Sequence, residues 1–376
     1  MTQPAYPAAR AVAPRVLAQF ARHLAATDPA NVDMSILPAE WAVESIIDAA
    51  FWASLRREEG FVPRISLALL RPDQSVHPLL FERSLPLGPG ALVRIAPAVE
   101  RSGIHLGVWP DGDALRVWGT TRTVPTFCFV LEVAAPGLLV VKHHRGEVGK
   151  FVNVAVLEGD QIKVIDERAS SLPDCPGLLA SLLGFDTRSW AGGLNVPVQL
   201  AVSMRAHGRG GSLLIVPADH DEWLQSIVRP ISYAVLPPFS ELAELERRAG
   251  DDATGRHWED ALSEAVHAIA GLTAVDGATI LTDRYDLVAF GAKIARRGGH
   301  LPVEQIAVTE PIEGGVAETV HPTHLGGTRH LSAAQFVHDQ RDALALVASQ
   351  DGRFTVFAWS PREGMVHAHR VETLLL

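Results

Sequence analysis

Residues 257–294, HWEDALSEAVHAIAGLTAVDGATILTDRYDLVAFGAKI, contain the change of period that decides the fold. Ala261, Ala265 and Ile269 repeat every fourth position, which predicts a helix over about 257–270 with one apolar face. After Asp276-Gly277-Ala278 the texture becomes short and β-branched. ATILT and LVAFGAKI read as two strands joined by the turn Asp283-Arg284-Tyr285-Asp286. Upstream, VQLAVSM and SLLIVP read as strands on either side of the polar loop Arg205–Gly211, and Ser240 reads as the N-cap of a helix over 241–248. Downstream, 332–340 reads as a helix. ALALVASQ and RFTVFAW read as the last strands, joined through Asp351-Gly352. This order predicts a mixed α/β domain, a sheet flanked by helices, over 197–362, with a tail over 363–376.

The N-terminal half reads differently. Val12, Val16, Phe20 and Leu24 predict a helix over 12–26. A second helix is predicted over 38–59, with Trp41, Ile46, Ala50, Phe51 and Leu55 on its apolar side and Gly60 as its stop. From Phe61 to about 167, short runs such as RISLALL, FCFVLEVA and FVNVAVLEGD are broken by Gly, Pro and Asp-Gly, predicting a mostly antiparallel sheet or barrel-like sandwich. A short helix is expected near 178–183, and Gly184–Pro197 is the expected boundary between the domains. The layout is therefore N-terminal helices (1–60), a β-rich domain (61–190) and the C-terminal domain, α+β overall.

Composition narrows the function. A chain of 376 residues with 47% hydrophobic residues can bury the cores of two ordinary domains. Its formal net charge of −10, without a Lys/Arg-rich run, argues against a nucleic-acid surface but leaves room for a local phosphate pocket. Cys128 and Cys175 are in no metal-binding spacing and read as reduced, buried thiols. With no apolar run long enough for a membrane helix and no apolar leader, the expected location is the cytoplasm, with no membrane partner.

Two short constellations carry chemistry. Asp276-Gly277-Ala278 stands where a helix gives way to a strand. The carboxylate there either holds a divalent cation or belongs to an ordinary Asp-Gly turn. Gly326-Gly327-Thr328-Arg329-His330 opens a helix. It is either a capped surface loop or a phosphate cradle that uses backbone N–H groups, the Thr328 hydroxyl and the Arg329 fork. In this order, with strands on both sides, the two resemble the diadenylate cyclase family, which pairs a DGA motif with a later GTRHR-type motif. HGRGGSLLIVP and ALALVASQ extend the similarity over about residues 197–362.

That resemblance implies two such domains face to face, each holding one ATP, and a metal that helps one 3′-hydroxyl attack the other's α-phosphate. Asp276 would bind Mg²⁺ or Mn²⁺, with Arg329 and His330 as its catalytic partners. Gly277 and Ala278 would line the nucleotide. Gly327, Thr328, Arg329 and His330 would hold phosphates, with Ser349 nearby. The final arginine of the family motif is Leu331 here, and the segment 295–325 is long and rich in Gly, Pro and His, which implies a remodelled rim. The N-terminal half, with AAFWASLRREEG at 49–60, resembles a divergent branch of sensor proteins whose cyclase-like domain binds a nucleotide signal. Three functions follow: a sensor of ATP or cyclic di-AMP, an active diadenylate cyclase working as a homodimer, or an interaction scaffold with a vestigial pocket.

Weaker candidates remain beside these. His300, His321 and His324 could form a zinc site but lack a Cys or acidic partner at a zinc spacing. Ser203 and Ser212 lack a nucleophile elbow. His207–Gly211 reads as a tight turn or a second phosphate loop, and Trp109, Trp118, Lys142 and Arg145 as a partner surface.

Overall fold

The computed structural model describes residues 5–27, 36–58, 60–145, 150–166, 196–248 and 256–376. They divide into two units, Met1–Ile165 with Leu376, and Asp166–Leu375. The short helix and most of the boundary expected over 178–197 lie outside the described residues, as does Cys175.

In the first unit the four-residue spacing produces α1 (Pro7–Thr27), with Val12, Val16 and Phe20 fully buried. Pro14 sits within its early turns. Helix α2 (Glu40–Ser54) buries Val43, Ile46, Ile47 and Ala50, whereas Trp41 and Leu55, expected on that side, are 43% and 50% exposed. It also ends five residues before the expected 59. The Ser54 hydroxyl donates to the Phe51 carbonyl and accepts from the Gly137 N–H, fixing the helix end to a strand turn. With α3 (Pro89–Ile95), these helices pack on strands β1 (Ile65–Leu69), β2 (Leu79–Pro86), β3 (His105–Asp111), β4 (Ala114–Thr121), β5 (Phe129–Ala135), β6 (Leu138–Arg145), β7 (Lys150–Glu158) and β8 (Gln161–Val164).

The order β2-β4-β3-β1-β5-β6-β7-β8 is one open sheet, antiparallel except for the β1–β3 pair. It is neither barrel nor sandwich, because helices rather than a second sheet cover the apolar residues Leu67, Leu106, Val117, Leu131 and Val141. Trp118 and Lys142, expected on a partner surface, are buried. The Trp118 indole donates to the Leu70 carbonyl, and Lys142 pairs with Glu132.

In the second unit, nine strands run in the order β10-β12-β11-β9-β15-β16-β17-β13-β14. They are β9 (Gly211–Val216), β10 (Tyr233–Phe239), β11 (Ala278–Thr282), β12 (Leu287–Ala292), β13 (Ile306–Thr309), β14 (Glu318–Val320), β15 (Leu344–Ala348), β16 (Phe354–Ser360) and β17 (Met365–Arg370). Helices α4 (Val196–Ala206), α5 (Glu241–Arg248) and α6 (Arg256–Leu272) share a core with Leu213, Ile215, Leu281 and Leu346. Helix α7 (Thr328–Asp339) shares the other core with Leu214, Val216, Ile280 and Val347. Covered on both faces, β9 is buried throughout, with the apolar run Leu213–Val216 rather than an alternation.

Three sequence expectations change here. VQLAVSM is helix α4, not a strand: Val196, Leu200, Ala201 and Met204 are buried at helical spacing, while Val202, which an apolar alternation counts as inward, is 43% exposed. The segment 295–325 is not only rim, since it supplies β13 and β14. The stretch expected as a tail supplies β17, which hydrogen-bonds to both β13 and β16. The mixed α+β class itself is what the structure has.

Candidate functional site

Sheet register brings the two motifs to one edge. Strands β9 and β11 run parallel with Ser212 opposite Ala278, and β15 ends at Ala348 opposite Gly211. The starts of β9 and β11 and the end of β15 therefore lie together, with Asp276 and Ser349 one or two residues beyond. Across the hairpin, Ala292 at the end of β12 pairs with Ala278, which carries Lys293 to Asp276.

Lys293 Nζ donates to Asp276 Oδ2 at 2.6 Å, with both side chains solvent-accessible. This hydrogen bond, the Lys293 charge and the more distant Arg329 charge hold the Asp276 carboxyl below the ordinary carboxylate range. The glycine beside it is required by the protein's own packing. Gly277 has φ +113°, and a Cβ there would come within 2.5 Å of the Gly291 carbonyl carbon. Ala278 is 1% exposed and belongs to the core, so it offers a ligand no side-chain surface.

Helix α7 starts at Thr328, four residues earlier than its sequence suggests, because Gly327 in extended conformation already serves as N-cap. Thr328, Arg329 and His330 are thus its first turn; the N–H groups at its start precede any intrahelical acceptor and favour an anion, whereas the His330 N–H donates to the Gly327 carbonyl. Thr328 is exposed. The Arg329 side chain lies across Gly210, where a Cβ would meet its Nη1 at 2.9 Å. His330 points the other way. It is 2% exposed, set edge-on to Phe357, and burial lowers its pKa, so near neutral pH it carries no charge to offer a phosphate. Leu331, where the cyclase motif has arginine, is 36% exposed.

The His207–Gly211 loop joins the same edge. Gly208 and Gly210 have positive φ, consistent with a tight turn. The Arg209 N–H donates to His207 Nδ1, and the Gln350 amide donates to the Arg209 carbonyl. An aromatic pair completes the surroundings: Tyr233 stacks on Phe290 at 4.8 Å, lies against Gly291 and is still 51% exposed. Sequence reading missed Lys293 and Tyr233. Counting back from residues 282 and 287 across the 283–286 turn places Lys293 opposite Asp276, a signal available for the lysine, although register shifts in the β11–β12 hairpin move the observed pairing by one residue. Tyr233 reaches the site only through β10–β12 pairing, which no motif encodes.

The other candidates are not assembled. His300 Nδ1 donates to Asp339 Oδ1 at 3.0 Å, while His321 bonds Thr323. Among the described residues no group of three or more His, Cys, Asp or Glu side chains is placed to hold a metal. Ser212 is buried within β9. A cavity of about 730 Å³ opens at the opposite ends of β9 and β11 and is lined by Asp219, His220, Asp221, Arg284 and Asp286. Its three carboxylates make it the poorer host for a polyphosphate.

A family model described as probable sensor domain DACNV matches residues 33–122, which contain α2, α3 and β1–β4 of the first unit. The matched stretch thus resembles a sensor domain and lies outside the residues that carry the cyclase-like motifs. No curated protein matches the chain. Among the described residues no helix is long and apolar enough to cross a membrane.

Proposed function

We propose that the chain is a nucleotide sensor whose second unit binds an anionic adenine nucleotide, ATP or cyclic di-AMP, at the edge formed by Asp276, Gly210 and the first turn of α7. The observation that carries this is the position of Arg329. It extends a permanent cationic fork across the backbone of Gly210, at the N-terminus of α7, where no side chain caps the helix. Tyr233 supplies an aromatic surface for a base, Lys293 offsets the Asp276 carboxylate, and Arg209 adds positive charge in a chain that is acidic overall. The match of residues 33–122 to a sensor domain supports the same reading from the other unit.

A working cyclase is the weaker alternative. His330 is buried and uncharged and Leu331 replaces a cation, leaving Arg329 as the one charged side chain of the motif triplet. Incubation with ATP and Mn²⁺ followed by mass spectrometry separates the two: a sensor returns ATP unchanged, and cyclic di-AMP formation overturns that role. Thermal shift with each nucleotide tests binding itself. The shift is expected with the wild type and lost in Arg329→Ala. Equal shifts in both proteins would place the nucleotide elsewhere.

A further inference from the structure

The cyclase-like motifs imply a divalent cation on Asp276, and the residues present do not suit one. Among the described residues Asp276 belongs to no group of three or more His, Cys, Asp or Glu side chains that could hold a metal. Its Oδ2 is already taken by Lys293 Nζ at 2.6 Å. An incoming divalent ion would have to share the carboxylate with an ammonium and sit near two cations, Lys293 and Arg329. Mg²⁺ and Mn²⁺ favour several oxygen ligands, so a single shared carboxylate is a poor exchange for hydration water.

We propose that Lys293 stands in place of the metal, so that this site binds its nucleotide without a divalent cation. The inference rests on the nucleotide-binding role given above. Its physical content is charge bookkeeping on one small surface. Asp276 alone would repel a phosphate, and a catalytic site would overcome this with an exchangeable metal ion. Here a covalently attached cation, delivered by the β11–β12 hairpin register, neutralises Asp276 permanently. Arg329 remains to meet the phosphate. Such a site recognises a phosphodiester but lacks the Lewis acid that would activate a hydroxyl or a leaving group. Cation-independent binding therefore goes with sensing rather than turnover.

The test uses the full chain and isothermal titration with cyclic di-AMP, a ligand with no polyphosphate to chelate metal, and with ATP. Each titration is run in excess EDTA and in excess Mg²⁺ or Mn²⁺. For whichever nucleotide binds, the wild-type dissociation constant is expected to agree within about twofold between the conditions. Lys293→Met exposes Asp276. It is expected to lose at least about tenfold in affinity in EDTA and to recover part of it with Mn²⁺, because the freed carboxylate can then take the ion. Lys293→Arg keeps the charge and is expected to retain cation-independent binding. Both side chains are solvent-accessible, so circular dichroism of the variants should match the wild type. Wild-type binding that appears only with metal would overturn the inference and leave nucleotide binding standing. A Lys293→Met protein that binds as well as wild type in EDTA would also overturn it. Failure of both nucleotides under every condition would overturn the nucleotide role, and this inference with it.

Discussion

Replacing Gly277 by alanine asks whether this glycine serves the protein's packing or a bound ligand. Its φ of +113° is a conformation that side chains rarely adopt. A Cβ would lie 2.5 Å and 2.6 Å from the carbon and oxygen of the Gly291 carbonyl and 2.8 Å from the Ala292 oxygen. Ordinary contact begins near 3.4 Å, so β12 must retreat or the turn at 276–278 must rearrange. Backbone strain of this kind costs about 1–3 kcal/mol, and forcing a methyl into filled space about 1–3 kcal/mol more. The sum, about 2–6 kcal/mol, corresponds to roughly 1.5 to 4.5 decades in the local opening equilibrium. With two units, a single melting temperature would not resolve the effect. Native-state hydrogen exchange of the amides in Ala278–Thr282, measured without nucleotide, does. Faster exchange in β11 by at least an order of magnitude is expected. Unchanged exchange with a lost nucleotide response would refute the packing account and return Gly277 to the ligand.

Acid should weaken both units. Burial lowers the pKa of His369 in β17 to about 3 and that of His105 in β3 to about 4. Both lie below the unfolded value of 6.5, so their stabilising contribution is present above pH 6.5 and lost as pH falls towards those values. It amounts to about 2 kcal/mol each by pH 5. Hydrogen exchange by unit at pH 8 and pH 5 measures this, and a His369→Gln variant with an undiminished pH response in the second unit would refute the assignment. Burial pushes the Cys128 thiol up to about 12, so iodoacetamide at pH 8 should label the Cys128 peptide only after unfolding. Glu132→Gln leaves the buried Lys142 ammonium without its carboxylate. Because Glu132 is 46% exposed, the expected loss is about 1–2 kcal/mol rather than that of a fully buried pair. A Lys142→Met/Glu132→Gln double variant should be more stable than Glu132→Gln alone in urea titration.

What was legible in the sequence was whatever local periodicity records. The faces of α1 and α6 follow from their apolar spacing, and the apolar run SLLIV marks a strand covered on both sides. Helix α4 was misread because VQLAVSM alternates as well as it repeats at helical spacing. Strand β17 was missed because MVHAHR looks polar. Its histidines are nonetheless buried, His369 against the Thr309 hydroxyl and His367 against Glu363. At the candidate site, motif letters located Asp276 and Arg329 but could not say that Ala278 and His330 turn inward. That distinction depends on strand and helix phase, and the Lys293–Asp276 contact depends on register across a hairpin.

The place of β17 in the sheet also sets an order of events during synthesis. Strands β13 and β14 pair with each other, and β13 joins the rest of the sheet only through β17, which comes later in the chain. At about 5–20 residues per second, the β13–β14 hairpin leaves the ribosome several seconds before the strand that anchors it. Until then the β13 edge that β17 covers is open. Completion of the sheet that carries the candidate site is in this sense timed by residues that are no part of that site.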